Sequence, residues 1–175
     1  METNTNYLTG SFRDRSSAER AYNRLRERGY TDEEINIIMS DETRAKYFDE
    51  KDKEKETDFG NKAMEGAGKG SAIGGAVGAT AGIIAALGTS LVIPGLGLVI
   101  AGPIAAGLAG AGAGGITGGI VGALIGAGIP KDRAEKHEKD IKEGDIVMGV
   151  RPRNDEDASY LEENWREYTG DRVYR

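Results

Sequence analysis

The sequence predicts an α+β protein, a ferredoxin-like βαβ-βαβ domain interrupted by a long glycine-zipper helical hairpin. Three observations carry this expectation. Segments at both ends of the chain each read as strands alternating with amphipathic helices. No charged residue lies between Ser71 and Pro130, although charged residues make up 30 % of the chain. Within that block, glycines recur every fourth residue in two separate runs.

The first half spans 1–40. Tyr7-Leu8-Thr9-Gly10-Ser11-Phe12 is a short β-prone run. Asp14 or Ser16 can cap the next helix, and Glu19 stands in capping-box position to Ser16. Ala18, Ala21, Tyr22 and Leu25 form an apolar stripe at helical spacing, with the arginines mostly on the outer face. Gly29 is placed to end the helix. Asp32-Glu33-Glu34 forms a polar turn, and Ile35-Asn36-Ile37-Ile38-Met39 a second strand.

Residues 41–65 read as a charged linker or frayed helix. The run from Asp49 to Glu56 mixes both signs without an apolar face and cannot bury a core.

The Gly/Ala-rich block, 66–129, reads as a helical hairpin with helices over 70–92 and 104–128. Gly66, Gly70, Gly74, Gly78 and Gly82 form one run, and Gly110, Gly114, Gly118, Gly122 and Gly126 the other. Residues four apart form a ridge along a helix. Stripping that ridge of side chains leaves a groove that a second helix can enter closely. Pro94, Gly95 and Gly97 supply the hairpin turn, and Pro103 fits the first turn of the second helix.

Glycine costs about 1 kcal/mol against alanine in a water-exposed helix, so ten of them cost on the order of 10 kcal/mol. Extensive packing or a bilayer has to offset that. Each helix has the roughly 20 residues a membrane span needs. The few Ile, Leu and Val residues of the first helix contribute only about −4 kcal/mol to insertion. Membrane association and burial in a soluble oligomer both remain open. Lys62, Lys69, Lys131 and Arg133 would sit at one interface, with both termini cytoplasmic.

The second half, 130–175, resumes with Pro130 opening a charged helix over Lys131–Glu143 that Gly144 ends. Asp145 to Val150 reads as a strand. Asp155 and Asp157 serve the start of a helix with Ala158, Leu161 and Trp165 on one side, and Gly170 ends it. Val173-Tyr174 forms a short last strand. The expected plan is an antiparallel sheet with helices on one face.

Composition narrows the function. The net charge of −6 argues against a general nucleic-acid surface. The absence of cysteine removes disulfides, thiolate metal sites and cysteine nucleophiles. One histidine, His137, cannot build a two- or three-histidine zinc site in a single chain, and it reads as a surface helix residue. The start of the sequence has no secretory-signal pattern, so a cytoplasmic or inner-membrane-associated location is expected.

Gly66-Ala67-Gly68-Lys69-Gly70-Ser71 departs from a phosphate-binding loop, because Gly70 rather than Ser or Thr follows the lysine. Gly95-Leu96-Gly97 lacks the third glycine of a dinucleotide fingerprint. Ser16-Ser17 has no His–Asp set beside it in the sequence. No catalytic residue, cofactor, metal site or small-molecule substrate is identified, and Trp165 reads as core.

Phe12-Arg13-Asp14, Ala18-Glu19-Arg20-Ala21, Leu25, Gly29-Tyr30 and Ile35 resemble the opening of the bacterial general stress protein 17M-like (heat-induced stress protein) domain. The resemblance continues through Pro94-Gly95-Leu96-Gly97, Ala101 to Ala106, Gly128-Ile129-Pro130 with Ala134, and Gly144 to Val150. It implies a stress-induced bacterial protein without enzymatic activity or cofactor. The expected function is therefore a non-enzymatic stress-response protein that associates with membrane lipid or with itself. A soluble homo-oligomer or filament is the alternative, and a small-ligand-binding ferredoxin-like module the third reading.

Overall fold

A computed structural model describes residues 7–48, 91–93, 96–106, 119–169 and 172–175. The elements are β1 (Leu8–Phe12), α1 (Arg15–Glu27), β2 (Ile35–Ser40), α2 (Asp41–Phe48), β3 (Leu91–Ile93) and β4 (Leu98–Ala101). They continue with α3 (Gly119–Gly126), α4 (Lys131–Lys142), β5 (Ile146–Val150), α5 (Asp155–Thr169) and β6 (Val173–Tyr174). The six strands form one antiparallel sheet in the order β3-β4-β2-β5-β1-β6.

Side chains alternate across a strand, so each buried strand serves two faces. Ile35, Ile37 and Met39 of β2 enter one core with Leu8, Phe12, Ile146 and Met148. Ile38 and Val147 enter a second core with Leu98 and Ile100. On the first face lie α1 with Ala18, Ala21, Tyr22 and Leu25, α5 with Leu161 and Trp165, and Phe48 of α2. On the second lie α3 with Ile120, Ala123 and Leu124, and α4 with Ala134 and Ile141.

Helices thus cover both faces, where the sequence led us to expect one. The reason is visible in β2 and β5. Ile37-Ile38-Met39 and Ile146-Val147-Met148 are continuous apolar runs, which suit a strand buried on both sides. Each fully buried large aliphatic side chain contributes roughly 1.5–3 kcal/mol, so leaving the second face open to water would be costly.

The predicted helix ends are resolved in detail. Asp14, not Ser16, caps α1: its Oδ1 accepts from the Ser17 amide at 2.8 Å and its Oδ2 from the Ser17 hydroxyl at 2.9 Å. Glu19 pairs instead with Arg15 at 2.6 Å. Asp155 and Asp157 stand in the first turn of α5, and Asn154 caps it, accepting from the Asp157 amide at 2.8 Å. Gly29 and Gly144 close α1 and α4 with φ of +83° and +96°.

The stretch read as a linker begins as structure. Residues 41–48 form α2, with Thr43 and Phe48 buried. The helical reading of the glycine block is corrected in two places. Leu91–Ile93 and Leu98–Ala101 are strands, and the reversal between them joins strands rather than helices. Leu91, Val92 and Ile93 face Ile100, Val99 and Leu98, and β4 pairs onward with β2. Gly97, with φ +60°, lies in that turn. Pro94 and Gly95 fall outside the described residues.

The second predicted helix, 104–128, is not one rod. Gly102 at φ +92° precedes a short helical turn over 103–106, and Gly119 at φ +66° opens α3. Gly66, Gly70, Gly74, Gly78, Gly82, Gly110, Gly114 and Gly118 lie outside the described residues.

Candidate functional site

Three places could carry function: a buried polar cluster, the outer face of α3, and a cleft at one end of the sheet.

The polar cluster lies on the second face, where Thr9 and Ser11 of β1 point toward α4. His137 is fully buried between them, contrary to its reading as a surface residue. Its Nε2 is 2.8 Å from Thr9 Oγ1, and its Nδ1 is 3.1 Å from Ser11 Oγ. Ser11 donates to Asp140 Oδ2 at 2.5 Å. Burial pushes the imidazole pKa down to about 4; Asp140 opposes that shift, while Arg133 and Lys136 add to it. The ring is therefore neutral near pH 7. With the Ser11 proton committed to Asp140, Ser11 accepts from Nδ1–H, and the Thr9 hydroxyl donates to Nε2.

Tyr174 of β6 meets the ring edge-on at 5.4 Å between centroids. Arg172 anchors the same segment on Asp145 and lies 4.0 Å from Asp140. Burial raises the Asp145 pKa, and Arg172 opposes the rise.

Serine, histidine and aspartate are thus together, but in the wrong order for acyl transfer. That chemistry needs an imidazole between the hydroxyl and the carboxylate. Here the hydroxyl stands between the imidazole and the carboxylate, and no substrate reaches a fully buried ring. The cluster fastens α4 and β6 to β1. Its signal was present in the sequence: Ala134, His137 and Ile141 share one helical stripe, and all three are buried.

The outer face of α3 carries the described members of the predicted helix-packing interface, Gly122 and Gly126. A Cβ built on either meets nothing within 4 Å among the described residues. Ile125 lies beside them and is 43 % exposed. The opposite side of α3 is committed to the second core through Ile120, Ala123 and Leu124. No described helix is long and apolar enough to cross a membrane. Among the described residues no group of three or more His, Asp or Glu could hold a metal ion.

The cleft has a volume of about 420 Å³ and is lined by Tyr7, Glu33, Glu34, Pro103, Ile104, Gly126, Ala127 and Arg151. Strand register assembles it. Val150 sits opposite both Leu8 and Ile35, so Arg151 emerges at the strand end between Tyr7 and Glu34. Asn36 fixes the neighbouring wall by accepting from the Ile104 amide at 2.8 Å while donating to the Gly149 carbonyl at 3.2 Å. No sequence pattern marks this site, because its lining comes from five separate stretches of chain.

Comparison with family models, curated proteins and solved structures finds no match to this chain.

Proposed function

We propose that this chain is a non-enzymatic bacterial stress-response protein that works by self-association through its glycine-lined helices. The observation that carries the reading is the outer face of α3. Gly122, Ile125 and Gly126 form an apolar strip on a helix without charge, and its glycines leave room for close approach by another helix. The stress assignment rests on the residue resemblance alone. The order β2-β5-β1-β6 of the four strands flanking α1 and α5 supports the ferredoxin-like plan, extended by β3 and β4.

Self-association is favoured over a membrane-spanning hairpin by chain geometry. A single crossing by 70–90 would put Leu91 across the bilayer from the sheet in which it pairs with Ile100. The second glycine segment leaves after Ala106 and returns at Gly119, an interval of twelve residues, 107–118. Twelve residues extend to about 42 Å at most. Two passages through a hydrocarbon core need about 60 Å.

Light scattering after size exclusion, without detergent, tests the reading on the full chain. We expect a discrete oligomer that the Gly122→Leu/Gly126→Leu double variant converts to monomer. A wild-type monomer at tens of micromolar, or an oligomer indifferent to both substitutions, overturns it. Co-flotation of the wild type with anionic vesicles would put lipid in place of a second copy. Unchanged abundance in the host after heat or ethanol shock would remove the stress assignment.

A further inference from the structure

The cleft at the sheet end has a charge arrangement that self-association does not use. Gly102 folds back over β2 so closely that a Cβ there would lie 2.2 Å from the Ile35 carbonyl oxygen. That approach sets Pro103 and Ile104 as an apolar wall, with Ile104 buried. Gly126 and Ala127, at the end of α3, face the same space.

The polar lining differs in how far it is already satisfied. Glu34 accepts from the Thr31 amide at 2.8 Å and pairs with Arg153 at 3.3 Å. Arg153 in turn donates to the Gly29 carbonyl at 2.8 Å and stacks on Tyr30. Arg151 and Glu33 are left over. The Arg151 guanidinium lies 4.7 Å from the Tyr7 ring centre, exposed, and forms no ion pair with a described carboxylate. Glu33 is exposed and forms none with a described cation. Both line one cleft, yet they do not pair with each other.

A guanidinium lying over an aromatic ring keeps N–H donors for a carboxylate, which it can take with two parallel hydrogen bonds. A lone carboxylate on the same cleft suits an ammonium. The apolar wall of the same cleft suits a hydrocarbon side chain. The volume falls in the range of small-molecule sites. One cation beside carboxylates disfavours a phosphate dianion, whose charge the adjoining glutamates would repel.

We propose that this cleft binds a free α-amino acid with an apolar side chain. Its carboxylate lies on Arg151, its ammonium on Glu33, and its side chain against Pro103, Ile104 and Ala127.

Isothermal titration of the full chain with L-leucine, L-isoleucine, L-methionine and L-phenylalanine tests this. Leucinamide, which lacks the carboxylate, and N-acetyl-leucine, which lacks the ammonium, are the control ligands. We expect saturable binding of at least one free amino acid, and at least about tenfold weaker binding of both controls, the loss of one charge-assisted contact. Arg151→Gln should abolish binding and Glu33→Gln weaken it about tenfold, with both variants keeping the wild-type circular dichroism and Tm because both side chains are exposed. Absence of binding by all four amino acids overturns the proposal. So does binding that survives Arg151→Gln, or that is equally strong for leucinamide. Gly126 borders both the cleft and the α3 face, so the mass of each sample is measured alongside the titration: loss of amino-acid binding with assembly intact, or of assembly with binding intact, separates this proposal from self-association.

Discussion

His137 Nε2 lies 2.8 Å from Thr9 Oγ1, a fully buried contact that ties α4 to β1. It exists in its present polarity only while the imidazole is neutral. The unfolded imidazole titrates at about 6.5, and the folded one at about 4. Between those values the unfolded chain holds the extra proton, so this group's contribution is complete above about pH 6.5 and is lost as pH falls toward 4. The loss amounts to about 3 kcal/mol. Urea unfolding at about pH 7.5, 5.5 and 4.5 should show a steeper decline for the wild type than for His137→Gln. Asp145, with its pKa raised by burial, acts in the opposite direction in acid and is common to both proteins. Parallel declines would show that His137 does not titrate this way.

The start of α1 separates two capping registers. Asp14→Ala removes both contacts to Ser17 and should cost about 1 kcal/mol. Ser16→Ala should change stability by no more than about 0.5 kcal/mol. Equal effects in denaturant titration would contradict the Asp14 cap.

At Gly102 two constraints coincide, a φ of +92° and a Cβ position 2.2 Å from the Ile35 carbonyl oxygen. Gly102→Ala therefore forces the β4 connection away from β2, at a cost of at least about 2 kcal/mol. Thermal unfolding should register it, and titration with the amino acids above should show weakened binding, because Pro103 and Ile104 move with the turn. A wild-type Tm in Gly102→Ala would refute the close approach.

Gly122 and Gly126 should respond in the opposite sense. Added methyl groups meet no described atom, and alanine is the better helix former by about 1 kcal/mol. Gly122→Ala and Gly126→Ala should raise the stability of the dissociated protein while weakening assembly, measured by unfolding at low concentration and by light scattering at high concentration. Destabilisation of the dissociated protein would mean that this face is already packed within one chain.

Much of the local structure could be read from single segments. Ala18, Ala21, Tyr22 and Leu25 announce α1, and Ala158, Leu161 and Trp165 announce α5, because one face of each helix meets the same core throughout. The hairpin Leu91–Ile93 and Leu98–Ala101 was also present as two Leu-Val-Ile runs around Pro94 and Gly97. The surrounding glycine spacing hid it, since a four-residue period and a charge-free composition both suggest helices. His137 was obscured in a comparable way by the charges on either side of it in α4.

The order of amino acids by itself determined β1, α1 and β2 at one end and α4, β5, α5 and β6 at the other, where Gly29 and Gly144 stop α1 and α4, and that the middle of the chain carries no charge. Periodicity and capping act over a few residues, so those properties survive reading along the chain. Only the tertiary structure decided that helices cover both faces of the sheet, that Thr9 and Ser11 meet His137, and that Arg151 and Glu33 line one cleft without pairing. Those relationships join residues more than a hundred positions apart, and strand pairing across the sheet, which no local pattern encodes, is what brings them together.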